Sequence, residues 1–89
     1  MSNVSITLNS VGDGRAIADA IIEDNKGALM QEMPACLKID CPNRLVINRG
    51  SVSEKIGREW DVQEIHLSLI SLSGNVDEDD DYFALEWKR

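Results

Sequence analysis

Val4-Ser5-Ile6-Thr7-Leu8-Asn9-Ser10-Val11-Gly12-Asp13-Gly14-Arg15-Ala16-Ile17-Ala18-Asp19-Ala20-Ile21-Ile22 changes its hydrophobic period once, and that change sets the fold class. Val4, Ile6 and Leu8 alternate with polar residues, the period of a half-buried strand. Val11 to Gly14 turns the chain, with Asp13 placed to cap a helix. From Arg15 to Asn25 the spacing of Ile17, Ala20 and Ile21 is helical, with Ala16 and Ile22 beside them, while Asp19, Glu23 and Asp24 face water. Asn25-Lys26-Gly27 is a stop signal, with Gly27 suited to the left-handed position after a helix.

Beyond that helix the pattern returns to strands. Ala28 to Met33 and Ala35 to Cys41 are separated by Pro34, and Pro42-Asn43 makes a tight turn before a strand from Leu45 to about Arg49. Gly50-Ser51 opens a second, short helix: Ser51 and Glu54 fit a capping box, Val52 and Ile56 lie one turn apart, and Gly57 ends it. The pattern predicts a long strand from Val62 to Leu72, then an acidic loop, then a last strand from Tyr82 to Lys88 with Phe83, Leu85 and Trp87 on one face. The order βαβββαββ predicts an α+β domain with two helices packed on a mixed, mostly antiparallel sheet. With 89 residues, no repeat and no linker, residues 1–89 are expected to form one domain.

Composition excludes several functions. Nine Lys/Arg against sixteen Asp/Glu give a net charge of −7, and the acids from Asp77 to Asp81 are consecutive. Without a basic patch the chain has nothing to neutralise phosphates, so neither nucleic acid nor an anionic membrane is an expected partner. A basic protein surface is compatible. No run of about 18 apolar residues could span a bilayer. Met1-Ser2-Asn3-Val4 has neither a basic nor an apolar signal segment, so a cytoplasmic location is expected. Cys36 and Cys41 are then expected to be reduced. Their odd spacing on one strand puts them on opposite faces, poor geometry for a shared metal.

Motifs for chemistry are thin. His66, the lone histidine, is read as a solvent-facing strand residue, because no nucleophile–base constellation surrounds it. Gly12-Asp13-Gly14 lies between strand and helix, but Ile17 stands where a dinucleotide fingerprint needs its third glycine. A calcium loop fails in both registers: starting at Asn75 places Asp80, and starting at Asp77 places Tyr82, where the sixth-position glycine belongs. A solvated hairpin end accounts for the acids. No catalytic, cofactor-binding or metal-binding residue is assigned.

The anomaly is in the long strand. Ile65, Leu67 and Leu69 form an inward frame, with His66 and Ser68 outward. From Ile70 the phase breaks, since Ile70 and Leu72 join Ser68 on the second face. Either a bulge turns Ile70 and Leu72 inward, or a partner covers an apolar second face.

Three stretches carry a resemblance. They are Pro34-Ala35-Cys36-Leu37-Lys38-Ile39-Asp40 with Pro42 and Leu45, then Glu54-Lys55-Ile56-Gly57-Arg58-Glu59-Trp60-Asp61-Val62, then Leu67-Ser68-Leu69-Ile70-Ser71-Leu72-Ser73-Gly74-Asn75 with the acidic run after it. Together and in order, covering nearly everything from about Ala16, they resemble the coupling (regulatory, or effector) proteins of bacterial multicomponent di-iron monooxygenases, phenol hydroxylase branch. The resemblance implies a cofactor-free, non-catalytic component that binds the large subunit of a di-iron hydroxylase oligomer above the di-iron site. It would work with an NADH-dependent reductase and couple electron delivery and O2 activation to hydroxylation of phenol, toluene or a related aromatic. The family's contact stretch carries over to Ser68, Ile70, Ser71 and Leu72, with Ser73, Gly74 and Asn75 adjacent, which favours partner contact over a bulge. The methane branch's long N-terminal tail is not expected here, and Cys36 and Cys41 stand where non-thiol residues are expected. A different class remains as the alternative: a small acidic adaptor, or a nucleic-acid mimic, occupying a basic groove. A small enzyme using His66 ranks last.

Overall fold

Val4, Ile6 and Leu8 are all fully buried on the inward side of β1 (Asn3–Asn9), as their alternation requires. In the computed structural model, which describes residues 3–87, this strand is the centre of the molecule. It pairs antiparallel with β3 (Cys36–Pro42), from Asn3 opposite Pro42 to Asn9 opposite Cys36, and with β5 (Leu69–Ser73) on its other side. With β2 (Leu29–Glu32) on the far edge, the order is β2-β3-β1-β5. A second, three-stranded sheet has the order β4-β7-β6, from β4 (Arg44–Asn48), β6 (Asn75–Glu78) and β7 (Tyr82–Glu86). The α+β class and the course of the chain agree with the sequence pattern. Two adjoining sheets replace the single sheet, and every pairing among the described residues is antiparallel.

Helix α1 (Gly14–Asp24) buries Ile17, Ala18, Ala20 and Ile21 against the sheets and α2 (Arg49–Ile56). Gly14 is required by close approach: a Cβ there would lie 1.7 Å from the Asn9 carbonyl oxygen. That steric demand accounts for Gly14, and a left-handed backbone at φ 65° accounts for Gly12. Asp13 occupies the cap position, but its side chain makes no capping bond and pairs with Arg58 instead, at 2.6 Å.

At its C-terminal end α1 is fastened by Asn25, buried to 9% exposure. The Asn25 Nδ2 donates to the carbonyls of Ile21 (2.8 Å) and Val46 (2.7 Å), and Oδ1 accepts from the Val46 amide (2.8 Å). One side chain thus satisfies both polar groups of a β4 residue on the strand's outer edge.

The capping box falls elsewhere than expected. Helix α2 begins at Arg49 after Asn48 without a side-chain cap, so Ser51 and Glu54 lie inside it. Gly57 does close it in the left-handed conformation, at φ 77°. The box is formed by Asp61 and Glu64: Asp61 Oδ1 accepts from the Gln63 amide (2.9 Å), and Glu64 Oε2 accepts from the Asp61 amide (3.0 Å). It starts a 3-10 turn at Val62–Glu64 that runs into a single helical turn, α3 (Ile65–Ser68).

The expected strand from Val62 to Leu72 is therefore half helix, and only Leu69 to Ser73 is extended. The cause is local. A reciprocal cap satisfies the first free amides, and Val62, Ile65 and Leu69 then face inward at i, i+3 and i+7. Ile65 is fully buried, but Leu67, assigned to the core by strand alternation, is 83% exposed. The acidic run is divided, with Asp77 and Glu78 in β6 and the rest in its turn to β7. The strand from Tyr82 ends at Glu86. Trp87 lies beyond it, half-exposed, with Nε1 donating to the Asn3 carbonyl (2.9 Å), and Lys88 lies outside the described residues.

Candidate partner-docking surface

The seven residues singled out between Ser68 and Asn75 are sorted by the register of β5 on β1. Ser73 lies opposite Ser5, Leu72 opposite Ile6 and Ser71 opposite Thr7, but Leu8 faces Leu69, so Ile70 is an extra residue without a partner. This is a β-bulge. It permits Leu69 and Leu72, three apart, both to pack against the core, and it leaves Ile70 57% exposed. Of the two alternatives left by the sequence, the bulge is present, but it turns inward only one of the two residues. The bulge turns Leu72 inward, and Ile70 stays outside.

The grouping of Ser68, Ile70 and Leu72 on one face is corrected accordingly. Ser68, at the end of α3, is buried, and Leu72 is half-buried beneath the surface. Ile70, Ser71, Ser73 and Asn75 are exposed. Gly74, at φ 139°, must be glycine, because a Cβ there would also meet Val4 Cγ1 at 3.0 Å. Ser5 and Thr7 extend the same hydroxyl-bearing face from β1; their outward frame was visible in the strand alternation. Leu67 is the exposed residue the pattern missed.

Flanking this surface, His66 is solvent-exposed as expected, though on a helical turn. Its ring stands edge-on to Phe83 with centroids 6.2 Å apart, and Nε2 is 3.4 Å from Glu78 Oε1. The acids form the adjoining side, where Asp61, Val62, Gln63, Glu78, Asp79 and Asp80 line an open cleft of about 460 Å³. Tyr82 Oη donates to Asp77 Oδ2 (3.2 Å), and this bond first, then the carboxylate's charge, raises the phenol pKa. Among the described residues no group of His, Cys, Asp and Glu side chains is spaced to hold a metal ion. Cys41 is buried, with its thiol pKa raised by desolvation and Sγ 3.2 Å from the Arg44 carbonyl. Cys36 is half-exposed on the opposite face of the strand. No described helix is long and apolar enough to cross a membrane.

Arg58 ties these elements together. Its guanidinium bonds to Asp13 (2.6 Å), Glu64 (3.0 Å) and the Glu59 carbonyl (3.1 Å). Arg49 reaches the Trp60 carbonyl through Nε at 3.1 Å and pairs with Glu59. Trp60 itself is fully buried. The Gly-Arg-x-aromatic-Asp-Val stretch is thus scaffold: it positions the turn that presents the surface.

The fold is a small α+β domain, and the segment from Ile70 to Asn75 is its candidate contact surface. The chain belongs to the MmoB/DmpM family, whose model matches residues 2–86. It is 47% identical over 87 residues to the stimulatory component DmpM of phenol 2-monooxygenase from Pseudomonas sp. (strain CF600), covering 98% of this chain and 97% of that one. It is also similar to a chain in a structure of a phenol hydroxylase–regulatory protein complex, with TM-score 0.91, 50% identity, and coverage of 98% of this chain and 100% of the other. The soluble methane monooxygenase regulatory protein B shares the fold at TM-score 0.75 and 14% identity, over 97% of this chain and 65% of that protein.

Proposed function

We propose that this protein acts as one cytoplasmic regulatory domain that binds the di-iron hydroxylase of a multicomponent aromatic monooxygenase of the phenol or toluene type. It catalyses nothing itself. The observation that carries the reading is the nearly full-length match to a phenol 2-monooxygenase stimulatory component. The match to a chain described with a phenol hydroxylase supports it. The docking face is Ile70, Ser71, Ser73, Gly74 and Asn75, with Ser68 and Leu72 holding it from beneath.

A component of this kind alters its partner only by binding one conformational state more tightly than another. Typical couplings of about 1–3 kcal/mol shift such an equilibrium 5- to 150-fold. Docking over the large subunit near its metal centre would link electron delivery from an NADH-dependent reductase, and O2 activation, to substrate hydroxylation. The acidic-adaptor alternative gains no specific support, because the acids are concentrated at one hairpin rather than spread over a face.

The test is steady-state turnover by purified hydroxylase and reductase with and without this chain. Added protein should raise hydroxylation rate and product formed per NADH consumed. No change in either would refute the proposal.

A further inference from the structure

Leu67 is the most exposed large hydrophobic side chain among the described residues, at 83%. Its backbone is nevertheless fixed on both sides. The Asp61–Glu64 box starts the turn, Arg58 holds Glu64, Ile65 and Ser68 are buried on either side of it, and His66 rests against Phe83. An exposed apolar group on a preformed turn gives up little conformational freedom when a partner covers it.

Its surroundings distinguish it from Leu29, the next most exposed. From Leu67 to Asn75 the chain carries no charge, and the bulged Ile70 is exposed three residues on. Leu29, 73% exposed, instead lies opposite Asp40 on a strand ending at the Glu32–Arg15 ion pair. Single exposed apolar residues are ordinary, whereas two on an uncharged, braced segment point to a covering partner.

We propose that Leu67 is the apolar anchor of docking, seated in an apolar pocket of the hydroxylase with Ile70 beside it. This deepens the regulatory reading and rests on it. The uncharged stretch fits an apolar pocket rather than a basic groove, and Ser71 and Ser73, further along it, are exposed as well.

The decisive experiment is calorimetric titration of purified hydroxylase with wild type, Leu67→Ser and Leu29→Ser, alongside their melting curves. Leu67→Ser should melt close to wild type and bind roughly 10- to 100-fold more weakly, the range expected for a leucine buried on docking. That loss should persist at high salt, and activation should recover at saturating concentration. Leu29→Ser should bind as wild type does. Unchanged binding by Leu67→Ser overturns the anchor alone, as does an equal loss in Leu29→Ser. Unfolding of Leu67→Ser would also overturn it, by showing the residue to be packed. Wild type that neither binds nor stimulates refutes the regulatory reading, and the anchor with it.

Discussion

The carboxamide of Asn25 makes three bonds to backbone, two of them to Val46 on the outer edge of β4. A buried donor or acceptor left without its partner costs about 1–3 kcal/mol. Asn25→Ala should therefore lower stability by about that much, read as a shifted urea midpoint at constant m-value. Asn25→Asp keeps the acceptor but loses both donors, and should be destabilised as well. Neighbouring positions in α3 make the opposite contrast. Ile65→Ala removes a fully buried side chain and should cost about 2–5 kcal/mol, while Leu67→Ala should stay within about 0.5 kcal/mol. Equal losses at the two sites would mean that Leu67 is packed as tightly as Ile65.

At the scale of elements, the entry into α3 depends on Glu64. The Arg58 guanidinium first, and the Asp61 amide next, hold its carboxyl below the ordinary value of 4.5. A carboxylate with a lowered folded pKa contributes stability above its unfolded value and loses it as pH falls through the folded value. Glu64→Gln should thus flatten the acid limb of a melting-temperature profile below about pH 4.5 and change little of its slope near neutrality. An acid limb as steep as wild type's would assign it to other carboxylates. The bulge makes a second prediction. Without Ile70, the residues Leu69, Ser71, Leu72 and Ser73 alternate in–out–in–out against Leu8, Thr7, Ile6 and Ser5. Deleting Ile70 should leave a cooperatively folded domain with a regular β5 and a weakened hydroxylase affinity. Wild-type affinity in the deletion variant would remove the bulge from the docking surface.

For the whole molecule, the net charge of −7 is unevenly distributed, with five acids on the hairpin that follows the proposed docking segment. Exposed charges act over about 8–10 Å at moderate salt, so they influence encounter more than the docked state. Replacing Asp77, Glu78, Asp79, Asp80 and Asp81 by Asn and Ser should slow association and flatten its salt dependence, with dissociation little changed, in stopped-flow measurements. An unchanged association rate would leave the hairpin as a solvated end. The size of the hydrophobic core also sets what can be altered. With 89 residues, stability of about 5 kcal/mol is the scale at which one core truncation unfolds the domain, so affinity variants belong on the surface.

Period alone determined β1 and α1, the positions of most other strands, and the opposed faces of Cys36 and Cys41. These follow from which side chains recur on one face, a property of neighbours in the chain. The family resemblance was legible in the same way, because its motifs lie in short contiguous stretches. What only the tertiary structure decided is concentrated between Asp61 and Leu72. The residues from Ile65 to Leu72 fit strand alternation about as well as a helical turn followed by a bulged strand. The Asp61–Glu64 cap, a local motif, starts the turn, and the rest of the choice was made by Arg58 reaching across to Asp13 and by β1 fixing the register of β5. Those contacts moved Leu67 from the core to the surface and Ser68 and Leu72 the other way. Which side chains β5 exposes follows from its pairing with a distant strand, which no local period encodes.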